Sequence, residues 1–113
     1  MYSQDNDEQE IQYLEYRIKQ AQENNEPIDP YIKREIKWLA KQLDKFLNQM
    51  KEQGRDIEND FDIAEVEIRQ FAAMKQLAQK INAPVEEYEE KIKQVQCRIF
   101  GEENWENLFG NKD

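Results

Sequence analysis

The sequence predicts an all-α fold: an antiparallel bundle of four main helices with a short fifth helix at the C-terminal end. Three observations carry this expectation. Apolar residues recur at steps of three and four along most of the chain, the period of a helix with one covered face. The three glycines and three prolines fall at the apparent boundaries between these stretches. From Phe61 to Ile81 the apolar residues spread over well over half of the helical wheel, leaving Asp62, Glu65, Arg69, Gln76 and Lys80 as the polar strip. A helix with one neighbour needs an apolar stripe of roughly 100°, so the wider arc makes 61–81 the central helix, touching two or more others.

The elements follow in order. Residues 1–7 are polar and expected to fray as a disordered N-terminus, with a single domain over 8–110. Helix 8–24 carries the seam Ile11, Leu14, Ile18 and Ala21, flanked by Tyr13 and Tyr16, and Asn24-Asn25-Glu26-Pro27 ends it. Asp29 as N-cap with Pro30 behind it opens helix 30–53, whose stripe is Ile32, Ile36, Leu39, Leu43, Phe46 and Met50, closed by Gly54 in a left-handed cap. The short connection makes these two helices an antiparallel hairpin. Asp60 caps helix 61–81. Within it Ile63–Ile68 alternates enough to suit a short strand, but the unbroken run that follows favours helix. Pro84 is expected at the first position of helix 84–100, with Val85, Tyr88, Ile92, Val95 and Ile99 as its seam and Glu86, Glu87, Glu89 and Glu90 at its positive end. Residues 102–109 form a short amphipathic turn bearing Trp105, Leu108 and Phe109. The expected core is Leu14, Ile18, Ile36, Leu39, Leu43, Phe46, Ile68, Phe71, Leu77, Ile92, Val95 and Ile99.

At 113 residues, with 38% hydrophobic and 36% charged residues, the chain suits one domain of slim amphipathic helices. No apolar run reaches the ~20 residues needed to span a bilayer, and no signal peptide opens the chain, so no membrane partner is expected. The single cysteine, Cys97, fits a cytoplasmic setting. The net charge is −9 without a histidine, which disfavours direct nucleic-acid binding and favours a protein partner with a basic surface. Charge is uneven. Residues 29–53 hold six bases against four acids, while residues 1–28 hold seven acids against two bases and 84–113 eight against four.

No residue set names a reaction. A helical di-iron site needs Glu-x-x-His pairs and zinc needs Cys or His ligands, so neither a metal nor another cofactor is expected; Glu86-Glu87-x-Glu89-Glu90 reads as a solvated helix N-terminus. Cys97 lacks an activating histidine and reads as a packing residue. The spacing of Glu86/Glu89 and Glu103/Glu106 suits the magnesium sites of all-helical nucleotide pyrophosphohydrolases, but the second pair falls in the last short stretch instead of a long helix. The ridge Lys33, Lys37, Lys41 and Lys45 reads as a solvated face complementing acidic neighbours. More informative are the aromatic residues. Trp105 and Phe109, set among Glu102, Glu103 and Glu106, together with Trp38, Tyr13 and Tyr16, are the candidate partner-binding residues, because aromatic anchors dominate protein interfaces. The same tail could instead fold back and plug the open end of the bundle.

Two local resemblances add to this reading. Ile99–Gly110 (IFGEENWENLFG) resembles the FGE…E-x-(L/I)-F-G stretch of tail-assembly chaperones from phages of Gram-positive bacteria, over about a tenth of the chain; that family usually opens with strand-like sequence, which is not found here. Glu15–Gln49 is similar to the helical-hairpin aspartyl-phosphate phosphatases of sporulating bacteria. Leu43-Asp44-Lys45-Phe46-Leu47-Asn48 matches the end of their signature, and Ala40-Lys41-Gln42 replaces its Ser-Gln-Glu. That resemblance implies a role for Asp44. The expectation is therefore a non-enzymatic, acidic protein–protein interaction module: an inhibitor, adaptor or assembly factor of the kind a phage or mobile element encodes. The alternatives are a regulatory phosphatase acting on a response regulator and a nucleic-acid mimic occupying a basic groove. Strict a/d seams suit a homodimer as readily as a monomer.

Overall fold

Three turns reverse the chain by one device. In the computed structural model, which describes residues 2–110 and side chains from Asp7 onward, α1 (Tyr2–Glu23), α2 (Asp29–Glu52) and α3 (Phe61–Lys80) each end in a residue with positive φ: Asn25 (57°), Gly54 (82°) and Asn82 (57°). The next amide then reaches back five residues. Glu26 donates to the Ala21 carbonyl at 2.8 Å, Arg55 to Met50 at 2.9 Å and Ala83 to Ala78 at 2.9 Å. This satisfies carbonyls that the helix leaves open, and only glycine or asparagine tolerates the left-handed position readily. α4 (Glu86–Phe100) and the short α5 (Glu102–Trp105) follow, and a π-type turn, Glu106–Gly110, closes the described chain.

The helix starts refine the expectation. Asp60 caps α3, its Oδ1 accepting from Asp62 N at 2.9 Å and Ile63 N at 3.2 Å. Asp29 does not cap α2: the helix begins at Asp29, Ile28 holds the cap position, and Pro30 fills the first turn. Pro84 likewise precedes α4, whose cap position is Val85. Proline marks the start in both cases, but its fixed φ serves in the first turn and also just before it.

α1 starts at Tyr2, ahead of the Glu8 start predicted from the apolar seam; Met1 lies outside the described residues. Asp7, expected in the frayed end, is buried. Its carboxylate meets the ammonium groups of Lys45 and Lys41 (3.2 Å to Lys41), and its carbonyl accepts from the Trp38 indole at 2.8 Å. Two lysines of the basic ridge are thus committed to α1. Farther along the hairpin, Arg17 donates to the Tyr31 hydroxyl at 2.7 Å.

The architecture is the expected all-α antiparallel packing of four main helices with a short fifth. What the seams do not convey is that the bundle is opened out. Close helix–helix contacts join α1 to α2, α2 to α3 and α3 to α4, and α1 meets neither α3 nor α4 among the described residues. The molecule measures 49 × 43 × 15 Å, and its radius of gyration is 16.6 Å, against about 13 Å for a compact domain of this length. It is a corrugated layer one helix deep.

Burial follows from that shape. Of the twelve predicted core residues, Leu14, Leu43 and Val95 are fully buried and the other nine are half-buried. The remaining fully buried apolar positions are Ala21, Ile32, Ile63, Ala64, Met74 and Ala78. Of the nine fully buried apolar residues in the described chain, four belong to α3, which like α2 has a helix on either side, as its wide apolar arc predicts. α3 and α4 are also cross-linked by charge. Lys75 meets Glu89 at 3.0 Å, and the buried Glu67 pairs with Arg98, which also donates to the Glu58 carbonyl at 3.0 Å. No helix among the described residues is long and apolar enough to cross a membrane.

Candidate partner-binding site

Gly101 sets up the site. With φ at 88° and ψ at 148° it stops α4 and turns the chain through a conformation that side-chain-bearing residues rarely adopt. α5 then folds against α4. Trp105 lies half-buried on it, its indole nitrogen donating to Gln96 Oε1 at 2.8 Å and the Lys93 ammonium 4.6 Å from its ring centroid. The π-type turn carries Phe109 back onto Trp105. Gly110 closes so tightly here that a Cβ on it would lie 2.9 Å from the Trp105 ring.

The result is a continuous aromatic row across three elements. Ring centroids stand 6.0 Å apart for Trp105 and Phe109, 6.1 Å for Phe109 and Phe100, and 6.3 Å for Phe100 and Phe61 at the start of α3. These separations suit tilted aromatic packing. The row is nevertheless open to solvent: Phe61 is 65% exposed, Phe100 40% and Phe109 37%, and Leu108, the residue before Phe109, is 61% exposed. Beside it a groove of about 300 Å³ runs between α3 and α4, floored by Ala64, Ile68 and Ile99. Glu65 lines that groove and Glu106 lies beside Gly110, while Asp62, Glu102 and Glu103, which follow Phe61 and Gly101 in the chain, are exposed. Arg69, the guanidinium on the groove, is matched to Glu65 at 3.1 Å.

The structure brings five of the predicted site residues together (Trp105, Phe109, Glu102, Glu103 and Glu106) and separates three. Tyr13 and Tyr16 are exposed on α1, which packs on α2 alone; Tyr13 lies beside the guanidinium groups of Arg17 and Arg34, both 5.9 Å from its ring. Trp38 is a tie between α2 and α1 through Asp7 and not a free anchor. The tail folds back: α5 packs on α4 and the Glu106–Gly110 turn packs on α5, with Leu108 exposed. Phe61, Phe100 and Leu108 were missed as site residues. The signal for the two phenylalanines was their place at helix ends, next to the caps Asp60 and Gly101, where a neighbouring helix gives less cover.

The other constellations are placed as follows. Asp44 is exposed on α2, and Cys97 is half-buried on α4. Of the acids opening α4, Glu89 is paired with Lys75. Among the described residues no three Asp, Glu, Cys or His side chains converge on a point that could hold a metal ion. Comparison with protein-family models, with curated proteins and with solved structures finds no match, so the site rests on its own geometry.

Proposed function

We propose that this chain is a non-enzymatic, acidic protein–protein interaction module whose contact surface is the aromatic row at the α3–α4–α5 corner. The observation that carries the reading is the exposure of three adjoining phenylalanines, Phe61, Phe100 and Phe109, with Leu108 exposed next to Phe109 in the chain. Soluble proteins rarely leave such a patch uncovered unless something binds it. The Trp105 contacts to Gln96 and Lys93 preorganise the row, so little side-chain entropy is lost on docking. The nearby carboxylates and the net charge of −9 steer the surface towards a basic partner, and burial of the exposed rings on docking supplies the retention. An inhibitor, adaptor or assembly factor in the cytoplasm fits this mechanism; the likeness of Ile99–Gly110 to phage tail-assembly chaperones favours assembly.

The test is affinity capture from a lysate of the native host at low and high salt, with the wild type and a Phe61→Ala/Leu108→Ala/Phe109→Ala variant, read by mass spectrometry. These side chains are exposed, so circular dichroism should show the fold intact. One dominant basic protein, weakened by salt and lost with the variant, is the expected result. Equal capture by the folded variant would refute the aromatic row as the contact surface.

A further inference from the structure

A second concave surface lies away from the aromatic row. Where α2 and α4 flank α3, a cleft of about 370 Å³ opens over the buried side chains of Leu43 and Met74. Ile36 and Leu47 of α2 and Phe71 of α3 line it half-buried, and Ala40 is exposed within it. Ile36, Leu43 and Phe71 are among the expected core residues that a closed bundle would cover. In a layer one helix deep, no further element of the described chain lies over them.

The rim of the cleft carries four charges, and their order is informative. α2 and α4 both run antiparallel to α3, so their starts lie at the same end of the cleft. At that end Lys37 of α2 stands across from Glu87 of α4; at the other, Asp44 stands across from Lys91. The signs therefore alternate around the rim. We propose that this face docks a second copy of the chain, forming an isologous dimer two helix layers deep.

Such a rim is self-complementary under twofold rotation. An axis lying in the face along the helices sets Lys37 against Glu87 of the second copy, and Asp44 against Lys91 of the second copy. An axis across the helices sets Lys37 against Asp44, and Glu87 against Lys91. Opposite charges meet either way, and the apolar clefts face each other. Area is sufficient. The 49 × 43 Å face has an outline on the order of 2,000 Å², against about 800 Å² per partner in a standard interface. The cleft and the aromatic row share no residue, so the dimer would present two copies of the partner-binding site.

Sedimentation equilibrium of the full chain in 0.15 M salt, from micromolar to millimolar concentration, tests the proposal. The expected mass is twice 13.7 kDa. Ala40→Glu, a change at an exposed position, should return the single-chain mass with the helical spectrum retained. Lys37→Glu alone should weaken association at least tenfold. Adding Glu87→Lys restores it if the axis runs along the helices, and adding Asp44→Lys restores it if the axis runs across. A single-chain mass at every concentration overturns the proposal and leaves the cleft to a partner of another kind. A dimer that survives both Ala40→Glu and Lys37→Glu, or one that neither double variant restores, overturns it equally.

Discussion

Two isoleucines on α3 measure how far the layer is open. Ile63 is 1% exposed, and Ile68, five residues on, is half-buried at the groove beside Phe61. Truncating either to alanine removes three carbons, each contributing about 0.8 kcal/mol of transfer free energy when fully buried. For Ile63 that is roughly 2.4 kcal/mol, and the cavity left behind raises the loss to about 3–4 kcal/mol. For Ile68 solvent already reaches the side chain and can fill the space, so about 1–2 kcal/mol is expected on the same scale. A domain of this length holds ~6–17 kcal/mol in total, and a small core puts it near the lower end. Ile63→Ala should therefore remove a third or more of the stability. Urea unfolding at low micromolar concentration, followed by circular dichroism, would read this as a midpoint shift of about 2 M for Ile63→Ala and less than half that for Ile68→Ala. Equal shifts would refute the open layer, because they would require Ile68 to be as well covered as Ile63.

Three further outcomes follow from local geometry. A Cβ on Gly54 meets no atom within 4 Å, so Gly54→Ala should cost about 1 kcal/mol through its positive φ alone, while Asn82→Gly should gain a few tenths; thermal melts compare the two. The Asp7 carboxyl is held well below the usual carboxylate range, by the Lys45 ammonium above all, with Lys41 beside it. A depressed folded value gives stability that is full above the unfolded pKa near 4 and lost as pH falls towards the folded one. Asp7→Asn should thus melt lower than wild type at pH 7, with the gap between the two curves narrowing steadily as pH falls below about 4. Glu35 shows the opposite sign: burial, and then Glu15 nearby, push its carboxyl above the ordinary value. Its ionised form opposes folding at neutral pH and its protonated form does not, so Glu35→Gln should raise the melting temperature at pH 7 and leave it unchanged near pH 3.

Much of this protein is written locally. Helix periodicity, the cap at Asp60 and the positive-φ turn at Gly54 depend on neighbours a few residues away, so reading the chain in short windows finds them. The wide apolar arc of 61–81 places α3 between two partners for the same reason: a helix buries what its circumference carries. The aromatic tail was legible as a candidate surface because Trp105 and Phe109 crowd a short segment.

Other features needed the tertiary structure. Asp7 looks like any acid in a polar terminus until Lys41 and Lys45 of the antiparallel neighbour arrive beside it. Phe61 and Phe100 belong to apolar seams by spacing, and only their meeting at one open corner makes them part of a site. Above all, an a/d seam records that a helix face is covered, but not whether the cover comes from the next helix, from one farther along the chain or from another molecule. Ile36 and Phe71 belong to the expected core while α1 stays away from α3 and α4, and that separation is set by contacts between helices, which no single stretch of sequence contains.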